Sequence, residues 1–211
     1  MLRLVLHDRE HQVGPRRLAE MFELRHRVFR ERLKWDVRSC SGLERDCYDD
    51  LDATYGLCLS DSGCVVGCWR LLPTLGPYLL RDVFPQLLGD HRAPAAPTVW
   101  EASRFACAPP PDGSFSVGRI PEATTHLIGA LLEVGLHHGL GRIVAVSDIR
   151  FERMLRRCGL RTHRFSLPVR IGNTMAVAGW FDVTEENLNR VRAIGGLIGD
   201  VLPLRIRERA A

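Results

Sequence analysis

The chain has 211 residues, 45% hydrophobic and 26% charged, with a formal net charge of +4. That is room for one domain with a substantial core, and no second-domain boundary or internal repeat interrupts residues 1–211. The basic residues are dispersed rather than striped with aromatics, which argues against nucleic acid, and no apolar run approaches the ~18 residues of a membrane span. Charge follows Met1 too closely for a signal peptide, so the expected compartment is the cytoplasm, without membrane insertion. Seven scattered cysteines, with no CxxC pair and no histidine at zinc spacing, imply reduced thiols and no metal site.

In chain order, residues 2–6 alternate weakly as a first strand. From Arg16 to about Arg32, Leu18, Met21, Phe22, Val28, Phe29 and Leu33 recur at helical spacing after Pro15, and Arg25 falls on the apolar stripe. Residues 34–53 have no period and read as a long loop. Thr54–Leu59 and Val65–Leu72 flank Asp61-Ser62-Gly63 as a hairpin, with Val66, Cys68 and Arg70 on one face. A short irregular segment at 77–89 contains Phe84, and Thr98–Cys107 reads as a strand followed by a Pro109–Gly113 loop.

Glu122–His138 is a helix ending near Gly139, and Arg142–Ser147 an apolar, central strand. Asp148 caps a basic helix that stops at Gly159. Strands near Thr162–Leu167 and Thr174–Phe181 precede a last helix opened by Thr184, with Leu188, Val191 and Ile194 inside. Strands interspersed with helices predict an α/β fold: a mixed central sheet flanked by helices.

Arg25, Arg70 and Arg104 all fall in segments that otherwise bury apolar residues, and Asp46, Asp49 and Glu101 are the acids available to them. An unmatched buried charge costs roughly 3–5 kcal/mol, so these groups are expected together. Phe29, Trp35 and Trp100 accompany them, and aromatics beside carboxylates suit an organic cation. Strict alternation would send Glu101 and Arg104 to opposite faces, so a β-bulge is expected between them.

These residues carry a resemblance. Arg25, Phe29, Trp35, Asp46, Asp49, Arg70, Phe84, Glu101 and Arg104, with Leu71-Leu72-Pro73-Thr74 and Val83-Phe84-Pro85, resemble the acyl-homoserine-lactone synthases, the autoinducer synthases of quorum sensing, over roughly residues 18–160. The resemblance implies a GNAT-like sheet with a V-shaped gap between two central strands, S-adenosylmethionine as one substrate and an acyl thioester as the other. Trp35, Asp46 and Asp49 suit the sulfonium and ammonium; Arg25 or Arg104 suits the carboxylate. Glu101 is the expected base, with Asp46 as second catalytic carboxylate, and Arg70, Phe84 and Ser103 complete the substrate site. No cofactor is implied beyond the substrates.

Ala145 and Ser147 are expected to line the acyl pocket. Relatives accepting 3-oxo chains often carry threonine where Ala145 stands, so an unsubstituted chain is expected here. The basic helix, with Arg150, Arg153, Arg156 and Arg157, is the expected dock for acidic acyl carrier protein, with acyl-coenzyme A as the alternative donor. A GNAT-type N-acyltransferase is the nearest rival, but Ser114–Pro121 does not match its RxxGxG/A phosphate loop. A non-catalytic binding protein is the other, and the intact charge set argues against it.

Overall fold

The computed structural model describes residues 2–109 and 120–202. Most of the Pro109–Gly113 loop and of the Ser114–Pro121 stretch therefore lies outside the described residues.

Strand β1 (Arg3–His7) leads to helix α1 (Pro15–Arg25), which has proline in its first turn and buries Met21, Leu24 and Arg25. The expected single helix to Arg32 is instead two pieces, for His26–Arg32 continues as a π-helix. Its wider turn is closed by Leu33 N–H donating to the Val28 carbonyl, and such π segments gather at functional sites. The segment read as a plain loop contains a small hairpin, β2 (Ser39–Cys40) and β3 (Leu43–Glu44), and a 3₁₀ turn at Cys47–Asp50. These elements are too short for a hydrophobic period to reveal.

The hairpin β4 (Thr54–Leu59) and β5 (Val65–Pro73) forms as expected. A register shift at Cys58/Leu59 sends Val66 to the side opposite Cys68, against simple alternation. A four-residue helix α2 (Leu79–Asp82) and a 3₁₀ turn at Pro85–Leu87 precede strand β6 (Val99–Cys107). Then come α3 (Glu122–His137), β7 (Arg142–Asp148) and α4 (Ile149–Arg157). The short strands β8 (His163–Arg164) and β9 (Val169–Ile171) lead to β10 (Thr174–Asp182) and α5 (Glu185–Gly195). Asp148 and Thr184 cap α4 and α5 by accepting from Phe151 N–H and Asn187 N–H. Ile194, expected inside, is half-exposed.

Eight strands make one sheet in the order β1-β4-β5-β6-β7-β10-β8, with β9 on β10. All its pairings are antiparallel except β6–β7, joined by the α3 crossover. One face packs on α3, α4 and α5 around Trp69, Leu127, Ile128, Ile143 and Phe181; the other lies under α1 and the α2 segment. Gly56 sits opposite Trp69, and a Cβ there would meet the indole at 2.3 Å, so only glycine fits.

The parallel pair is what shapes the site. It pairs only from Val99↔Arg142 to Ala102↔Ala145, although β6 runs on to Cys107 and β7 to Asp148. Beyond Ala102 and Ala145 the strands part, opening the expected V-shaped cleft.

Candidate active site

On the β6 side of the cleft three guanidinium groups meet three carboxylates. Arg25, fully buried on α1, donates to Glu44 at 2.5 Å and to both oxygens of Asp49 at 2.8 Å. Arg70, fully buried on β5, donates to Asp46 at 2.6 Å, Asp49 at 2.8 Å and Ser103 Oγ at 3.1 Å. Arg104 joins Glu44 at 3.0 Å and Asp46 at 2.5 Å. Three charges of each sign, doubly connected, satisfy the demand that buried ions be paired.

Arg104 reaches this face because β6 bulges. Ser103 and Ala106 stand opposite Arg70 and Cys68, so Arg104 and Phe105 share the span of Trp69 alone. Arg104 adopts φ +54°, a left-handed conformation costing a non-glycine residue ~1–2 kcal/mol. The bulge falls at Arg104 and Phe105 rather than between Glu101 and Arg104, where the ladder is regular through Ser103, and strain of this kind gathers where function requires it.

The network has a buried and a solvent-facing layer. The side chains of Arg25, Arg70, Glu44 and Asp49 are at most 1% exposed, whereas Arg104 and Asp46 are 15% and 13% exposed. Asp49 is the hub: besides both arginines it accepts from Tyr55 Oη at 2.8 Å and Asp46 N–H at 2.9 Å. Burial alone would raise its proton affinity, but Arg25 and Arg70 overcome this and hold the carboxyl well below the usual range. Asp46 caps the 3₁₀ turn by accepting from Tyr48 N–H, which fixes its carboxylate towards the cleft.

Glu101 lies elsewhere than expected. Fully buried, it accepts from Leu79 N–H at 2.9 Å and Leu80 N–H at 2.7 Å, tethering α2 to β6. Burial pushes its pKa up to about 7, against the pull of those amides and of Arg70 and Arg104. The acid that bonds to the arginines in its place is Glu44, which the sequence reading missed because it stands in an unpatterned segment. Tyr55 was also missed; it stands opposite Arg70 in register and so shares its face.

Of the expected aromatics, Phe29 and Trp35 are at the site. Their rings stack at 5.4 Å, and the Arg104 guanidinium lies 5.7 Å from the Phe29 ring centre. Phe84 follows α2 and packs between the two clusters on this face. Trp100 does not join them: it points to the α3 face and packs against His138 at 4.9 Å, because the residue next to Glu101 alternates away.

Ala145 and Ser147 stand on the other side of the sheet from Glu101. With Glu152, Leu155, Val177 and Phe181 they line a small depression against α4, while Val144 and Val146 face α2. On α4, Arg150, Arg153, Arg156 and Arg157 are all exposed. Arg156, however, is held by Glu152 at 3.0 Å and by Thr162 at 2.8 Å, so its charge is already matched. Among the described residues no group of histidine, cysteine, aspartate or glutamate side chains could hold a metal ion, and no helix is long and apolar enough to cross a membrane.

The family described as autoinducer synthase matches residues 10–191. The acyl-homoserine-lactone synthase of Rhizobium radiobacter is 39% identical over 195 residues, 90% of each chain. That of Pseudomonas aeruginosa strain PAO1 is 38% identical over 172 residues, 81% of this chain and 84% of the relative. Among solved structures, the CoA-dependent acyl-homoserine lactone synthase BjaI, with SAM and isopentyl-CoA, superposes with a TM-score of 0.80 at 27% identity, covering 95% of this chain and 91% of that one. The mixed sheet with its helices on both faces is GNAT-like, as expected.

Proposed function

The chain belongs to the autoinducer synthase family, and we propose that it makes an acyl-homoserine lactone from S-adenosylmethionine and an acyl thioester by the following route. The observation that carries the reading is the solvent-facing Asp46–Arg104 pair over a buried, fully matched ion network at the mouth of the cleft. An amino-acid headgroup offers the complementary pair of charges. Its carboxylate takes Arg104, which alone of the three arginines reaches solvent appreciably; Arg25 is sealed in the buried layer. Its ammonium takes Asp46, with Asp49 behind, and Trp35 presents an aromatic face to the sulfonium, with the buried Phe29 ring stacked behind it.

The ammonium loses a proton, with Glu101 as base through a water; a carboxyl with a pKa of about 7 is matched to that task. The free amine attacks the thioester carbonyl, an N–C bond forms and the thiolate leaves, taking up a proton. The substrate carboxylate then attacks the γ-carbon, closing the lactone as the C–S⁺ bond breaks and methylthioadenosine departs. Positioning suffices for this second step because the sulfonium is already a good leaving group. The two substrates supply all the chemistry, so no cofactor or metal takes part, and the cytoplasm is where both would be met.

The acyl chain runs through the cleft along β7 past Ala145 and Ser147. Ala145 offers no hydroxyl to a 3-oxo group, so an unsubstituted chain is the assigned donor. Acyl carrier protein docks on the exposed basic face of α4 formed by Arg150, Arg153, Arg156 and Arg157. Charge reversal at Arg153 and Arg157 is expected to raise KM for an acyl-carrier donor about tenfold and to spare acyl-coenzyme A; an equal effect on both would refute the dock. The reaction itself is tested by mass spectrometry of purified protein given S-adenosylmethionine and a panel of both donor types. Acyl-homoserine lactone and methylthioadenosine in equal amounts is the expected result, and transfer of the acyl group to another amine would contradict it.

A further inference from the structure

The aromatic pair at the site is fastened to the far half of the sheet. Trp35 Nε1–H donates to Thr174 Oγ1 at 3.1 Å, across 139 residues of sequence. Thr174 is the first residue of β10, just beyond the turn containing Gly172, and two residues before Ala176, which pairs with Asp148. That is the end of β7 at which it has parted from β6. Arg104 stands on the corresponding parted end of β6. A continuous relay therefore spans the open mouth of the V: Arg104 against Phe29 at 5.7 Å, Phe29 stacked on Trp35 at 5.4 Å, and Trp35 bonded to Thr174.

The Trp35 backbone is set for this reach. The π turn ends at Arg32, Lys34 takes φ +56°, and Trp35 N–H donates to the Phe29 carbonyl at 2.9 Å. The chain thereby folds back so that the indole lies flat on Phe29 with its N–H aimed outward at β10. Both Trp35 and Thr174 are half-buried, so their bond is partly shielded from water, and it ties together two halves of the sheet that no β6–β7 ladder joins at this level.

We propose that Thr174 is a positioning residue of the synthase reaction: through Trp35 it clasps the aromatic roof over the Asp46–Arg104 pair and so governs how tightly S-adenosylmethionine is held and how fast methylthioadenosine escapes. This rests on the assignment of the amino-acid headgroup to that pair. Thr174 touches no reacting atom; it acts through the indole. A net hydrogen-bond contribution of about 1 kcal/mol corresponds to roughly a fivefold change in an equilibrium.

Two measurements on the full chain separate the clasp from the function. In indole-¹⁵N-labelled protein without ligand, the Trp35 Nε1 proton, assigned by its loss in Trp35→Phe, is expected to exchange slowly in wild type and in Thr174→Ser. In Thr174→Val it is expected to exchange at least fivefold faster, because valine keeps the shape and removes the acceptor. In steady-state turnover Thr174→Val is expected to raise KM for S-adenosylmethionine about fivefold, with kcat changing less and Thr174→Ser recovering most of the loss. Equal indole exchange in all three proteins would overturn the clasp whatever the enzyme's activity. Faster exchange in Thr174→Val with an unmoved KM would overturn its part in holding substrate. Wild type that makes no lactone would instead defeat the assigned reaction.

Discussion

The two flanks of the cleft are built by opposite rules. On the β6 flank the side chains facing the site are Arg70, Ser103 and Arg104, set in ion pairs that reach back to α1 and to the 3₁₀ turn. On the β7 flank beyond Ala145, Val146 and Ser147 carry no charge, and the carboxylate of Asp148 is spent on capping α4, accepting from Phe151 N–H. The β6 flank required a bulge and a left-handed arginine to bring its charges to one face. The β7 flank is a regular ladder on β10 from Arg142 to Asp148. A strand that must present fixed charges departs from regular geometry; a strand that must present an apolar wall does not.

Removing charge from the β6 flank is therefore expected to cost far more than changing shape on the β7 flank. Asp49→Ala leaves the Arg25 and Arg70 guanidiniums without their shared hub. It should lower stability by about 3–5 kcal/mol in denaturant unfolding. A loss within ~1 kcal/mol would show that water or Glu44 replaces Asp49 readily and that the buried layer is no scaffold.

The next contrast lies in pH. Folded Glu101 keeps its proton to about pH 7, whereas the unfolded chain releases it near 4.5. Between those values the folded state binds more protons, so this group's contribution to stability falls as pH rises from about 4.5 to about 7. The fall across the window is on the order of 3 kcal/mol. Glu101→Gln should flatten that slope while keeping a carbonyl for the Leu79 or Leu80 amide. An unaltered slope in the variant would assign the titration to another group.

The smallest expected effect is on the β7 flank. Ala145→Thr adds one hydroxyl to a half-buried wall and is expected to shift the ratio of kcat/KM for 3-oxo over unsubstituted acyl thioesters about tenfold in favour of the former, with little change in stability. If the ratio stays where it was, the chain does not pass Ala145.

How far these flanks were legible in the amino-acid sequence follows the same division. The β7 strand, its capping Asp148 and the stop at Gly159 are local patterns, and each reappears where periodicity places it. The arginines were legible because a charge on an apolar stripe is conspicuous, and a bulge because Glu101 and Arg104 could not otherwise share a face, although its position was not. Which acid meets which arginine was not legible. Arg25 and Glu44 are 19 residues apart and Arg104 and Glu44 are 60, so tertiary folding alone selects Glu44 and turns Glu101 to the α2 amides. Trp100 was misplaced for a related reason: nearness to Glu101 in sequence means the opposite face in a strand. The tie from Trp35 to Thr174 joins segments with no shared local pattern.

The most direct test of this division is two-substrate steady-state kinetics on Asp46→Asn. Asparagine keeps the oxygen that caps the 3₁₀ turn and removes the outer negative charge. The expected result is a rise of tenfold or more in KM for S-adenosylmethionine, with KM for the acyl donor within about twofold of wild type. An equal rise in both constants would show that the β6 charges do not hold the amino-acid headgroup alone, and the assignment of the two flanks to two substrates would fall.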